Sequence, residues 1–431
     1  FGFPTRVRAL FNPNNNVVKT LEESVISDRP LDHAVWSFSP GAEIPKDKQL
    51  YTACGFAHFT KGYKGLVRDP DPLGTPLPYS KCIDVDCGAV RNGSYDECEV
   101  CGQQAEEFKL FQPKGFVATY LPRDYDGQRQ RGGSISSPVL AFMPNYDDAM
   151  LMGAASVTLT GKKPIALIND NNGRMFEFHS QYNTVTVPEP SLYRDGTGPD
   201  TETEAFDRGA IGAVFTTDVL SLVITSASGV GFNGTLDVVE QYSARSALTS
   251  FGEFLKLAAV TYLDIDPSEL RVGQQKYRHE ECVTEQLFLV DALENGAGYA
   301  RRLFDKARLR ELLQKHYDLR KEQWGSEGHS SCDSGCPDCL KSYGNRMIHH
   351  LLDWRLALDM AELVLDIPLD EDRWLAESAE VAQWFKGLCE SYEMIVSIEK
   401  AGDLTAVVYG NSKALILGHP LWHSREGLVT D

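Results

Sequence analysis

Four cysteines, Cys82, Cys87, Cys98 and Cys101, fall within twenty residues, and three more, Cys332, Cys336 and Cys339, within eight, with His329 three positions ahead of them. Thiolates and imidazoles clustered on short loops are the donors of tetrahedral zinc. The first group reads Cys-x4-Cys-Gly and then, after nine residues, Cys-x2-Cys-Gly. Each close pair turns back at Gly88 or Gly102, so that four sulfurs can converge. The second group, Cys332-Asp-Ser-Gly-Cys336-Pro-Asp-Cys339, supplies three thiolates on a Gly/Ser-rich loop. Its fourth donor is open at this level: His329 leads, with Cys282, His349 and His350 as alternatives. A site closed by four protein donors has no position left for water, so both zinc ions are expected to be structural.

Disulfides are the rival reading. They would leave Cys54, Cys282 and Cys389 over, and the opening Phe1-Gly-Phe-Pro shows neither an initiator Met nor the apolar core of an export signal. That opening predicts a piece of a longer protein, and the cysteine usage predicts a reducing cytoplasm.

Other chemistry is thin. Gly161-Lys162-Lys163 lacks the earlier Gly and the following Ser or Thr of a phosphate-binding loop. Gly229-Val-Gly231-Phe-Asn-Gly234 matches a dinucleotide fingerprint, but the next helical pattern starts too late, and a Gly-rich turn is the expected reading. Asn295-Gly-Ala-Gly298 stands between a strand and a helix, where exposed N–H groups can hold a phosphate; a tight turn packed under the sheet is favoured. Cys54 and Cys389 have no elbow and no His partner, which predicts buried thiols and no catalytic residue.

A second kind of chemistry lies in charge. Arg301, Arg302, Lys306, Arg308, Arg310, Lys315, Arg320 and Lys321 stand against Asp305, Glu311 and Asp318, an excess of five positive charges in a chain whose net charge is −19. With Lys341, Arg346 and Arg355 around the second cysteine group, the contrast suggests a surface facing nucleic-acid phosphates. A solvated helix face is the plainer alternative.

The elements that must position these groups follow from composition and period. The 431 residues, 42% hydrophobic and 24% charged, suit a folded chain of several domains. The fold class expected is α/β (mixed α+β), multidomain, with two structural zinc sites. Residues 1–75 form an opening segment, 76–108 a zinc knuckle, 109–240 a mostly β region, 241–365 an α/β zinc-binding region and 366–431 a tail with no motif. Residues 194–207 are expected to be an exposed loop. The most apolar stretch, 209–231, is broken by Asp218 and several hydroxyls, so no membrane span is expected. Ala247, Phe251, Phe254, Leu255, Ala258 and Tyr262 fall on one helical face, and further helices are expected near 299–317, 348–365 and 376–392.

Three stretches go beyond generic pattern: Phe288-Leu-Val-Asp-Ala-Leu-Glu-Asn-Gly-Ala-Gly-Tyr299, the run from His329 through the second cysteine group to Leu340-Lys-Ser-Tyr-Gly-Asn345, and His349 with Leu352-Asp-Trp-Arg-Leu-Ala-Leu-Asp359. Together they resemble the MrfA-type zinc-binding (MZB) domain of bacterial DEAD/DEAH-box helicases. Phe3-Pro-Thr-Arg-Val-Arg8, Arg29-Pro-Leu-Asp-His-Ala34 and Phe38-Ser-Pro-Gly-Ala-Glu43 resemble the segment that follows the helicase core in large members, so the resemblance covers about 1–365. It implies the C-terminal accessory part of a superfamily 2 DNA helicase or translocase, in DNA repair or in anti-phage systems such as Druantia and DISARM. Cys332, Cys336 and Cys339 would be its zinc cysteines. The implied partners are DNA, the preceding ATP-driven motor and a second defence subunit. Arg301, Arg302, Lys306, Arg308, Arg310, Lys341, Arg346 and Arg355 would touch phosphate, and Trp354 is expected in the core rather than stacked on a base. The alternative is a scaffold that docks a partner protein and never touches DNA, which the acidity favours.

Overall fold

In a computed structural model the structure describes residues 6–14, 20–63, 65–127, 138–196, 198–224, 242–279, 282–292, 296–370, 372–409 and 413–421. The Gly229–Gly234 motif lies outside them. The chain is a mixed α/β protein of two compact units. Among the described residues the first unit holds 6–143 and 162–217, and the second holds 144–161, 218–292 and 296–421.

The first unit is almost all β. The strand Gln49–Phe56 pairs with Glu43–Lys46, Phe116–Ala118 and Thr184–Thr186, and Phe116–Ala118 runs parallel to Val7–Phe11. Alternating side chains bury Phe56, Phe116 and Phe178, whose rings meet at 5.5 and 5.7 Å. The first cysteine group grows from a three-stranded ladder, Leu77–Cys82 between Val90–Asn92 and Ala105–Phe111, rooted by the buried Tyr79 and Leu110. The stretch 194–207 is less free than expected: Arg194 reaches the buried Glu43 at 2.8 Å, and a strand resumes at Ala205.

In the second unit a ten-residue-long hairpin, Leu270–His279 with Cys282–Asp291, lies under the helix Tyr242–Leu263. Leu270, Val272, Leu287 and Leu289 share one face of the hairpin and pack beneath Phe251, Phe254, Leu255 and Ala258. Gly252 lets helix and hairpin close, since a Cβ there would stand 2.8 Å from the Val272 side chain. Tyr262, expected on the buried face, sits in the last turn and is exposed. Two further helices, Lys306–Trp324 and Trp354–Leu365, complete the core.

Two helices depart from the bounds that the periodicity predicts, for one reason. The Asp305 carboxylate accepts the Arg308 N–H at 2.8 Å, so the stretch near 299–317 divides into Tyr299–Leu303 and Lys306–Trp324. Asp353 accepts the Arg355 N–H at 2.8 Å, and the last helix before the tail starts at Trp354 after a short 3-10 turn. The tail forms the helix Asp372–Ser391 and a three-stranded antiparallel sheet, Val396–Ala401, Leu404–Tyr409 and Lys413–Leu417. No helix among the described residues is long and apolar enough to cross a membrane.

Candidate metal centres

Cys82 leaves the end of its strand, Cys87 lies in a turn closed by the Gly88 N–H on the Asp84 carbonyl at 2.8 Å, and Cys98 and Cys101 lie in a turn closed by the Gly102 N–H on the Cys98 carbonyl at 2.9 Å. Gly88 and Gly102 take positive φ, 56° and 74°, the conformation these turns need. The four sulfurs all lie within 4.8 Å of one another, with Cys82 to Cys101 at 3.4 Å and Cys87 to Cys98 at 3.7 Å. Zinc–sulfur bonds of about 2.3 Å in a tetrahedron place sulfurs about 3.8 Å apart, so this donor set fits zinc. The cysteines are free thiols, which removes the disulfide reading among the described residues.

Burial pushes the Cys82 thiol up to about 12 and raises Cys87 as well. For Cys98 burial is outweighed by the N–H groups of Cys101 and Val100, and its thiol is held below the ordinary value. Without a cation the Cys82 and Cys87 sulfurs keep their protons at neutral pH, so metal must displace them.

The second tetrad is built from the end of the Lys306–Trp324 helix and the loop after it. His329 Nε2 is 3.4 Å from Cys336 Sγ, Cys332 Sγ is 3.9 Å from Cys339 Sγ, and all four donor atoms lie within 4.8 Å. The tetrahedral nitrogen–sulfur edge at zinc is about 3.6 Å, so this set fits too. The structure thus brings His329 to the three cysteines. His349 Nε2 is instead at 2.9 Å from the Ser342 carbonyl and from Asn345 Oδ1. The side chain of Cys282 lies outside the described residues.

The surroundings prepare the site. His329 Nδ1 is 3.1 Å from the Trp324 carbonyl, which places the proton on Nδ1 and leaves the Nε2 lone pair for metal. The Cys336 N–H donates to Cys339 Sγ at 3.0 Å. Trp324 and Trp354 pack against the His329 ring, and Cys332 and Cys339 belong to the same buried cluster as the core helix.

Residues 251–340 match the family described as MZB, the MrfA Zn-binding domain. The MZB stretch takes in the core helix from Phe251, the hairpin, the Lys306–Trp324 helix and all four donors of the second tetrad. The chain is also similar to the Druantia protein DruE of Escherichia coli (strain UMEA 4076-1), 25% identical over 380 residues, which cover 81% of this chain and 20% of that protein. It therefore spans about one fifth of the length of that relative. Among solved structures, the DUF1998 helicase MrfA bound to DNA overlaps 60% of this chain and 29% of its own, at 13% identity and a TM-score of 0.30. The same helicase bound to DNA and AMPPNP overlaps 43% and 28%, at 14% identity and a TM-score of 0.20.

The basic residues around the MZB zinc loop do not form one patch. Arg301 makes two bonds to Asp218, at 2.9 and 3.1 Å. Arg308 donates to the Arg302 carbonyl, and Arg310 to the Leu365 carbonyl at 2.6 Å, at the end of the neighbouring helix. Lys315 pairs with Glu311 and Lys321 with Asp370. Arg355 corrects the expectation outright: it is buried, bonded to the Asp333 carbonyl and Glu377, and stacked on Trp354 at 4.5 Å, so no phosphate reaches it. Arg302 and Lys306 are exposed at the start of one helix, and past its end, beside the zinc loop, Arg346 is exposed and Lys341 half-buried. At 1.5 Å per residue, 306 and 324 are about 27 Å apart.

The Gly296-Ala-Gly298 turn holds no open anion site either. The Asp291 carboxylate already accepts the N–H groups of Gly298, Tyr299 and Ala300 at 2.7 to 3.1 Å, where a phosphate would sit. Burial holds Cys54 inert, its thiol pushed up to about 12. Trp354 is in the core, as expected.

Sequence reasoning missed a buried ionic knot between the MZB side and the tail. Arg373 bonds Asp359 and Glu362, Trp374 Nε1 donates to Asp359 at 2.8 Å, Tyr317 Oη to Glu362 at 2.7 Å, and His419 lies 3.3 Å from Asp359. The signal in the sequence was Asp359 and Glu362, two carboxylates inside the largely apolar helix Trp354–Leu365.

Proposed function

We propose that this chain is the zinc-stapled accessory part of a DNA helicase or translocase acting in cytoplasmic anti-phage defence, and that it holds DNA by backbone contacts and base stacking without reading sequence. The ligands of its two structural zincs are Cys82, Cys87, Cys98 and Cys101, and His329, Cys332, Cys336 and Cys339. The match of 251–340 to MZB and the similarity to a Druantia protein support the setting. ATP hydrolysis belongs to a motor elsewhere in the parent protein.

The observation that carries the DNA contact is Tyr343. Its side chain is 84% exposed, with the Arg346 guanidinium 4.6 Å above the ring. The turn that presents it is locked: the Ser342 N–H donates to Asn345 Oδ1 at 2.8 Å, Asn345 Nδ2 to the Leu340 carbonyl at 2.8 Å, and the Lys341 N–H to the Cys336 carbonyl at 3.0 Å. A rigid exposed aromatic beside cations is the chemistry of a single-strand stacking platform.

Fluorescence anisotropy with single-stranded and duplex DNA across a salt series tests it. Binding should be saturable and weaken steeply with log salt. Tyr343→Ala should lower single-strand affinity by about 1–3 kcal/mol with the salt slope unchanged, whereas Arg346→Glu should make the slope shallower. Absence of binding at low salt, or indifference to Tyr343→Ala, contradicts the reading and favours the protein scaffold that the −19 charge suggests.

A further inference from the structure

Three successive carbonyls of the second zinc loop are held by one dipeptide, Trp354-Arg355. Trp354 Nε1 donates to the Cys332 carbonyl at 3.5 Å, the Trp354 N–H to the Ser334 carbonyl at 2.9 Å, and Arg355 Nη1 to the Asp333 carbonyl between them. The clamp also touches a zinc donor: the Trp354 ring packs on His329 at 5.4 Å, and the Arg355 guanidinium lies over that indole at 4.5 Å. The MZB match ends at Leu340, so the clamp stands outside it.

The other arm of the Arg355 guanidinium goes to the tail, where Nη2 donates to Glu377 of the helix Asp372–Ser391. This bond is part of a contact made of ions. Arg373 and Glu377 stand one turn apart on the tail helix, and Arg355, Asp359 and Glu362 fall at i, i+4 and i+7 on the core helix. Arg373 bonds Asp359 and Glu362 while Glu377 bonds Arg355, so charge is paired across the contact in both directions. A guanidinium is a rigid planar fork, and fixing one arm sets the direction of the other. The Arg355 side chain is 10% exposed, which leaves it little water as an alternative to these two partners.

We propose that Glu377 is a positioning residue for the second zinc. It aims Arg355 at the Asp333 carbonyl, and the loop that carries Cys332, Cys336 and Cys339 is thereby held in the shape that binds metal. Contacts that orient a metal loop from outside raise metal affinity, because the loop then loses less freedom on binding. The coupling is reciprocal by thermodynamic necessity: if tail docking helps zinc to stay, loss of zinc weakens tail docking. The tail is thus a metal-dependent latch on the MZB side. The inference needs the second zinc site and is independent of the DNA reading, since neither Tyr343 nor any exposed cation takes part.

The test follows zinc release to a chromogenic chelator from the full chain carrying Cys98→Ser, in which only the second tetrad is complete. Adding Arg355→Lys keeps the charge and loses the fork, and should speed release about 10- to 100-fold, the usual cost of removing a residue that orients a metal ligand. Glu377→Gln acts one step farther from the metal and should speed it about 3- to 10-fold. Lys321→Gln breaks the Lys321–Asp370 pair at 3.0 Å, a tail contact that bypasses Arg355, and should leave the rate unchanged. Glu377→Gln removes one charge at a partly exposed position, so it decides alone if Arg355→Lys does not fold. A release rate unchanged by Glu377→Gln overturns the proposal, even beside a lowered melting temperature, since the contact would then be structural only. Equal acceleration by Lys321→Gln overturns it too, because zinc retention would then follow the stability of the tail at large.

Discussion

The Cys82/Cys87/Cys98/Cys101 tetrad and the His329/Cys332/Cys336/Cys339 tetrad use similar donors in opposite settings. The first closes two turns at the end of a β ladder, among exposed groups such as Val85, with Tyr79, Val90, Val100 and Ala105 buried close by in sequence. The second sits in the wall of a hydrophobic core, between Trp324, Trp354, Leu340 and Leu352, and two of its sulfurs are themselves core atoms. A metal staple at an edge organises its own loop, whereas one inside a core also fixes the helices that converge on it. The same bond chemistry should therefore have a local consequence at one site and a cooperative one at the other.

The largest effect expected from that contrast is the loss of one metal. Structural zinc sites contribute about 10–16 kcal/mol of binding free energy in small domains. Cys336→Ser should therefore abolish the cooperative thermal transition of the second unit. Cys98→Ser should leave that transition in place and raise amide exchange only around residues 83–104. Equal consequences for the two variants would erase the distinction.

Next comes the ionic knot that joins the Trp354–Leu365 helix to the tail. Arg373→Met strands Asp359 and Glu362, both fully buried, and should cost about 3–5 kcal/mol in chemical denaturation. Replacing all three charges with apolar residues should recover most of that loss.

A smaller effect sharpens the comparison through pH. His316 is buried against Phe254 near the second tetrad, and desolvation, with Arg320 beside it, lowers its pKa from 6.5 to about 4. The unfolded chain binds that proton first, so His316 lowers stability progressively as pH falls from about 6.5 to 4. Asp353, raised to about 6 by burial, works the other way over nearly the same range. The difference between His316→Phe and wild type isolates the histidine, because Asp353 and the zinc ligands cancel. It should shift in favour of the variant by about 3 kcal/mol between pH 6.5 and 4. A pH-independent difference would mean that His316 is hydrated.

The donor sets were legible because metal spacing is a local code, and the structure added only the choice of His329 over distant rivals. The core helix was legible from its period, as was the burial of Trp354. Charge was not. An excess of five counts residues, but Asp218, Leu365 and Asp370 absorb three of the cations from distant parts of the chain. Arg355 looked like a surface cation and is a bracket between the zinc loop and the tail. Periodicity also states a spacing without saying which side is wet. Leu352, Leu356 and Leu363 face a core, while Val381, Trp384 and Leu388, with the same rhythm, face water.

The most direct test of the two-tetrad account is the zinc content of the intact chain by native mass spectrometry, for wild type, Cys98→Ser and Cys336→Ser. The account predicts two zinc ions per wild-type chain and one in each variant, with the metal-depleted Cys336→Ser chain alone showing the broad charge distribution of an unfolded region. One zinc or none in wild type, or two retained by Cys336→Ser, would contradict it.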